Sequence, residues 1–390
     1  MNGFVKRFLK PSKSSFFIFG PRGTGKTSWT LENYPNALFI DLLLPDTERL
    51  YQSYPERLIQ IIEANPTQKV IIIDEVQKAP KLLEVVHHLI EKDKTLQFIL
   101  TGSSTRKLRT KGINLLAGRA IERHMHPFMA AELSQQFSLK KALQTGMIPL
   151  IWEANEPIEA LKTYISLYIK EEVQLESFVR DLGAFGRFLE VISFSQGSEL
   201  NLSNIARECQ VKRKTVENYL QVLEDILLSF KLEVFTKKAQ RLLTAHPKFY
   251  FFDCGVYQYI RPKFSLDQPE TIQGCVLESL VAQHLRAWCD YCSGEHRLYY
   301  WRTATGLEID FIIYGENGLF AIEVKNKTKI NNSDGLKSLH AFKKDYPSAQ
   351  LILLYQGKEK IKLGDVLALP CEEFLLNLIP DSLGIKLDQN

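Results

Sequence analysis

The chain has 390 residues, of which 45% are hydrophobic and 24% charged, a balance that excludes a wholly disordered, collagen-like or low-complexity protein. At roughly 150 residues per domain, the length suits about two to three domains, with core enough to need no covalent staples. Lys and Arg number 49 against 45 Asp and Glu, and the net charge of +4 neither demands nor excludes a nucleic-acid partner.

The N-terminus, MNGFVKRFLKPSKSSFFIFG, is basic and then apolar. Its apolar run, Phe16 to Phe19, is short and leads into a glycine-rich loop, so it reads as a strand and not a targeting segment. No stretch reaches the roughly 18 apolar residues of a membrane span, so no membrane partner is expected and the location reads as cytoplasmic. FFIFG (16–20), ALFIDL (37–42), VIIID (70–74) and QFILTG (97–102) are short apolar runs bounded by turn or charged residues. Helical patterns lie between them, as in 81–93, where Leu82, Leu83, Val86, Leu89 and Ile90 recur at helical spacing. Apolar strands alternating with helices predict a parallel sheet covered on both faces.

Residues 20–27 read Gly20-Pro21-Arg22-Gly23-Thr24-Gly25-Lys26-Thr27, followed by Ser28, and fit G-x-x-x-x-G-K-[ST] between strand and helix. Glycines let backbone N–H groups cradle phosphates at a helix N-terminus. Lys26 would then reach the terminal phosphates and Thr27 a magnesium ion. VIIID followed by Glu75 ends an apolar strand on two carboxylates. Asp74 suits the magnesium shell opposite Thr27, and Glu75 the attacking water, which points to hydrolysis; a solvated strand end is the plainer alternative. Thr101 and Ser103 end the next strand and could touch the γ-phosphate or the water, or form only a turn. Arg119, in LAGR, could reach a phosphate in its own chain or a neighbour's, or pair with Glu122 at the surface.

With these residues in hand, the chain resembles the AAA+-type P-loop ATPases over about residues 14–128. GPRGTGKT, IIIDEVQK, LTGSS and LAGR together resemble a prokaryotic ATPase family whose ATPase is followed by a C-terminal domain of unknown function. The resemblance implies a RecA-like core, ATP, Mg²⁺ and homo-oligomers. A second sensor arginine in a helical lid is not evident.

From about 128 to 228 the strand signal vanishes. Residues 158–179 read as a long helix, and 184–196 and 201–228 continue the pattern. In NLSNIARECQVKRKTVENYLQVL (201–223), Ser203 can cap a short helix. A turn at Gln210-Val211 precedes a second helix with Lys212, Arg213, Lys214 and Thr215 at its exposed start. This is helix-turn-helix spacing. Strands 229–235 and 248–253 would make a wing, its tip carrying Lys237, Lys238, Arg241 and Lys248. The segment, about 198–253, resembles a winged helix that contacts DNA or, alternatively, proteins.

From about 270 the order is helix (274–288), three strands, helix (335–344) and strand (350–355). Glu308 and Asp310 share one face of a strand, and Glu323 and Lys325 one face of the next. Carboxylates on adjacent strands can hold a divalent metal, with Lys325 positioning a water. This stretch resembles the PD-(D/E)xK nuclease fold. By that resemblance Asp310, Glu323 and Lys325 match the motif, Glu278 the helix acid, and a second divalent ion would sit on Glu278, Asp310 and Glu323. Chance spacing on an ordinary sheet, and a nuclease fold that binds without cutting, are the alternatives. The six cysteines include one close pair, Cys289 and Cys292; with His284 and His296 nearby they suit zinc or, more plainly, reduced thiols at a helix end.

The expected fold is therefore α/β: a RecA-like P-loop domain (1–128), a helical and winged-helix middle (129–265), and a PD-(D/E)xK-like domain (266–390). The expected function is Mg-dependent ATP hydrolysis coupled to nucleic-acid binding or processing, DNA being favoured. The alternatives are a nucleotide-switched DNA-binding regulator and a protein-remodelling or signalling ATPase, each with a non-catalytic tail.

Overall fold

A computed structural model describes residues 4–103, 116, 118–169, 179, 181–236, 246–265, 267–331 and 335–384. The chain divides into two compact units, Leu9–His126 with Asp225–Leu227, and the remainder.

The first unit is built on strands β1 (Phe16–Phe19), β2 (Leu38–Asp41), β3 (Val70–Asp74), β4 (Gln97–Gly102) and β5 (Ile121–His124). All are parallel, in the order β2-β3-β4-β1-β5. The loop-bearing strand and the acidic strand are therefore not neighbours, because β4 runs between them. The apolar residues of β1, β3 and β4 bury on both faces, as expected of strands enclosed by helices. Helices α1 (Lys26–Asn33), α2 (Pro45–Ser53), α3 (Arg57–Ala64) and α4 (Leu82–Lys92) complete the unit. In α4, Leu82, Leu83, Val86, Leu89 and Ile90 are buried while His87 and His88 face solvent. Each buried aliphatic side chain contributes about 1.5–3 kcal/mol. The edge strand β5, Ile-Glu-Arg-His, has no apolar run, which is why sequence patterning does not reveal it.

In the second unit the stretch read as one long helix begins as Pro157–Thr163 and continues as a π-helical turn over Tyr164–Ile169; most of its remainder lies outside the described residues. The following elements are a helix (Leu182–Ser193), β6 (Ser198–Glu199), two helices (Leu202–Glu208 and Arg213–Asp225), β7 (Ser229–Leu232) and β8 (Lys248–Phe251). They form a three-stranded antiparallel sheet in the order β6-β8-β7. Asn201, not Ser203, caps Leu202–Glu208, accepting a hydrogen bond from the Asn204 N–H. One residue type suits that position as well as the other. Gln210 makes the turn with a φ of 56°, the left-handed conformation that glycine ordinarily supplies.

The rest of the unit holds the helix Pro269–Tyr291, β9 (His296–Arg302), β10 (Glu308–Gly315), β11 (Gly318–Lys325), the helix Leu336–Asp345, β12 (Gln350–Tyr355), β13 (Ile361–Leu363), β14 (Val366–Pro370) and the helix Cys371–Asn377. The six strands run β13-β14-β12-β11-β10-β9, antiparallel from β9 to β11 and parallel from β11 through β12 to β14. Helix Pro269–Tyr291 is apolar almost all round, with Val276, Leu277, Leu280, Val281, Leu285 and Trp288 buried. Such a helix belongs inside a protein. It packs against β9 and β11 and also against β8, so both sheets share it. The chain leaving β7 then bridges to β9, with the Phe235 N–H donating to the Tyr300 carbonyl at 2.6 Å. No described helix is long and apolar enough to cross a membrane.

Candidate functional site

The loop after β1 turns through Gly23 (φ 80°) and Gly25 (φ 88°), and α1 begins with no side-chain cap. A helix N-terminus of this kind favours an anion. Gly20 is obligatory on space alone, since a Cβ there would fall 2.4 Å from the Met125 carbonyl oxygen. Lys26 is buried and donates to the carbonyls of Gly20 (2.7 Å) and Pro21 (3.2 Å). Buried Thr24 donates to the Pro21 carbonyl at 2.8 Å, while Arg22 on the same loop and Ser28 in the first turn of α1 lie exposed.

Asp74, 1% exposed, ends β3 facing two hydroxyls. Thr27 Oγ1 donates to Asp74 Oδ2 at 2.8 Å, and Thr101 Oγ1 donates to Oδ1. Burial raises the Asp74 carboxyl above its ordinary range, against the pull of the two hydroxyls and of Lys26. Glu75 takes a φ of 56°, a conformation that costs a non-glycine residue about 1–3 kcal/mol and clusters at functional sites. Its backbone N–H donates to Thr101 Oγ1 at 2.9 Å. Its carboxylate lies 3.9 Å from Lys26 Nζ and accepts from Gln77 Nε2 and from Ser103 Oγ (3.3 Å). Gln77, which also donates to Ser103 at 3.0 Å, has no counterpart in the sequence-based site; its place two residues after Glu75 was the available signal. Because β4 lies between β1 and β3, Thr101 and Ser103 reach Asp74 and Glu75, contacts that the sequence reading, which aimed them at a phosphate or a water, did not name. Arg119 pairs with Glu91 of α4. Neighbouring Ser104 and Ala117 lie outside the described residues.

The Thr27–Asp74 oxygen pair fits magnesium, which keeps several waters and takes few protein ligands beside substrate phosphates. Among the described residues, no group of three or more His, Cys, Asp or Glu side chains is arranged to hold a metal ion. His284 is instead a core residue: Nε2 accepts from the Ala130 N–H at 2.9 Å, and burial lowers its pKa to about 4. His296 lies against the Trp288 ring, and none of the six cysteines forms a disulfide.

The second unit gathers Glu278, Glu308, Asp310, Glu323, Lys325 and one residue the sequence reading placed elsewhere. Lys248, expected at a solvated wing tip, begins β8 and is 1% exposed, because Glu308 and Glu278 draw it inward. Lys237, Lys238 and Arg241 lie outside the described residues. Lys248 Nζ stands 2.5 Å from Glu308 Oε1 and 3.8 Å from Glu278 Oε1. Tyr250 OH donates to the same Glu278 oxygen at 2.6 Å. Lys325 Nζ donates to Glu323 Oε1 at 2.6 Å, and Asp310 Oδ2 accepts from the Val324 N–H at 2.8 Å. Glu323 Oε2 is buried and finds no hydrogen-bond donor among the described residues. Burial and then Asp310 push Glu278 up to about 7 and Glu323 to about 8. Burial opposes the charge of Lys248, but Glu278, Asp310 and Glu308 outweigh it and raise its pKa. A divalent ion wants open carboxylate oxygens at about 2.0–2.6 Å. Lys248 and Lys325 already engage one oxygen each of Glu278, Glu308 and Glu323, the oxygens such an ion would have to share.

Lys212, Arg213 and Lys214 are exposed at the start of Arg213–Asp225, where Arg213 and Lys214 each reach Glu217 at 3.3 Å. Arg213 joins Asn201, His246 and Arg302 in lining a recess of about 520 Å³.

Residues 12–134 match a family described as an AAA domain. The parallel-sheet unit at the N-terminus is thus AAA-like. Residues 136–267 and 273–374 match two families described as domains of unknown function. Uncharacterized proteins of Mycobacterium bovis and Mycobacterium tuberculosis are each 23% identical over 376 residues, covering 94% of this chain and 82% of theirs. An uncharacterized protein of Haemophilus influenzae is 21% identical over 58% of this chain and 61% of its own. The structure of the replication initiator DnaA bound to AMPPCP and single-stranded DNA is 14% identical, spanning 54% of this chain and 82% of that one at a TM-score of 0.25.

Proposed function

We propose that the chain hydrolyses ATP with Mg²⁺ at the P-loop and couples turnover to nucleic-acid binding, DNA foremost. The observation that carries the hydrolytic reading is the setting of Glu75, held beside Lys26 by Gln77 and Ser103 at a strained backbone position. Residues 20–28 bind the phosphates through backbone N–H groups, Lys26 takes the terminal phosphate charge, and Thr27 and Asp74 hold magnesium. That ion, when bound, neutralises the developing phosphate charge. Glu75 accepts the proton of the attacking water, a role worth about 10²–10⁴ in rate. Gln77 and Ser103 hold the Glu75 carboxylate, and Thr101 fixes Asp74 and the Glu75 backbone. Arg119 is assigned to phosphate contact, in its own chain or in a neighbouring copy.

The nucleic-acid reading rests on the middle segment. Its order of helix, strand, two helices and two strands, with β8 central, supports a winged helix. Lys212, Arg213 and Lys214 stand exposed where a recognition helix meets phosphates. The order of elements after residue 269 supports a nuclease-like fold for the tail, and the lysine-paired acids favour a tail that binds over one that cuts. The test measures ATP turnover with and without DNA, and DNA affinity as salt is raised. We expect affinity to fall with salt at a slope of about −0.9 per phosphate contacted, less by about one in Arg213→Ala. Absence of binding at low salt would move the reading to a protein partner.

A further inference from the structure

The acids of the second unit are matched by a cation from outside their own sheet. Lys248 belongs to β8 of the three-stranded sheet, while Glu308 lies on β10 and Glu278 on the helix Pro269–Tyr291. The lysine is 1% exposed and in ion-pair contact with both acids, at 2.5 and 3.8 Å. Two residues along, on the same face of β8, Tyr250 donates to the Glu278 oxygen that Lys248 approaches. The backbone closes round that carboxylate as well: a Cβ on Gly197 would come within 2.8 Å of Glu278 Oε1. The ammonium also lies 5.4 Å from the centre of the Tyr300 ring, whose face attracts a cation. The lysine head group thus lies among two carboxylates and an aromatic ring.

An ammonium so held competes with a divalent ion in two ways. It and Tyr250 engage Glu278 Oε1, an oxygen an ion would need, and its charge repels a second cation strongly in a poorly solvated site. We infer that Lys248 is the resident cation of this cluster, and that the cluster takes a divalent ion only where that lysine is absent. The inference goes beyond the proposed ATPase and does not depend on it.

The test is titration of the full chain with Mn²⁺, without nucleotide, followed by electron paramagnetic resonance. Each protein is read against its Asp310→Asn counterpart, so that binding elsewhere cancels. The wild type is expected to match its counterpart. Lys248→Met is expected to gain an Asp310-dependent ion, bound about 100-fold more tightly than by the wild type, and a melting temperature that Mn²⁺ raises. Lys248→Arg keeps the charge and is expected to behave as wild type. Asp310-dependent Mn²⁺ in the wild type would overturn the inference, as would a folded Lys248→Met that gains none. Should Lys248→Met not fold, Lys248→Gln with Glu308→Gln removes the cation and one acid together and is judged by the same two outcomes.

Discussion

The two units each sink carboxylates into a folded core, and they differ in what faces them. At the end of β3, Asp74 meets the hydroxyls of Thr27 and Thr101, neutral groups that can yield to an incoming cation. Around β10 and β11, Glu278, Glu308 and Glu323 meet the ammonium groups of Lys248 and Lys325. Burial raises the carboxyls in both places, and it is the partner's charge that separates them. A hydroxyl-faced acid is ready for magnesium and phosphate, whereas a lysine-faced acid is already neutralised.

The comparison breaks at its first half if the loop does not hold nucleotide. Lys26→Ala is expected to lose at least about 100-fold in ATP affinity, measured by calorimetry, because it removes the ammonium that the Gly20 and Pro21 carbonyls hold in the loop to meet the phosphate charge. At the second half the expected effect is on stability. Lys248→Met leaves two buried acids uncompensated and should cost about 3–5 kcal/mol in denaturant unfolding. A cost within experimental error would mean that Lys248 is not paired as described.

A smaller effect sharpens the contrast through pH. Glu323, at about 8 in the folded chain, lies above its unfolded value, so its native state binds the extra proton between the two. Its contribution is therefore fully present below the unfolded pKa and is lost as pH rises through about 8. The wild type should lose about 2 kcal/mol more than Glu323→Gln on going from pH 6 to pH 8, read by thermal melts at both. Equal losses would contradict the burial of Glu323.

Legibility in the sequence followed the range of the contacts. The loop and the acidic strand were readable because each functional group sits in a contiguous run whose spacing is set by local backbone geometry. Their meeting at 2.8 Å, across 47 residues, followed from parallel strand order. The order of elements after residue 269 was readable for the same reason, since apolar runs and helical periodicity are local. Lys248 was not, for a lysine in a basic connection resembles a solvated one until Glu278 and Glu308 arrive from distant elements. Gln77 carries no such signal, because nothing in its type marks it as an acid's support. The strand β5 has polar residues on a sheet edge and leaves no apolar signature.

The hydrolytic role proposed for the P-loop unit rests most directly on Glu75. Magnesium-dependent ATP turnover should be measured for the wild type and Glu75→Gln, with ATP affinity measured in parallel. Retained affinity with turnover lowered by about 10²–10⁴ is the result expected of the group that takes the water's proton. Unchanged turnover in Glu75→Gln would contradict it.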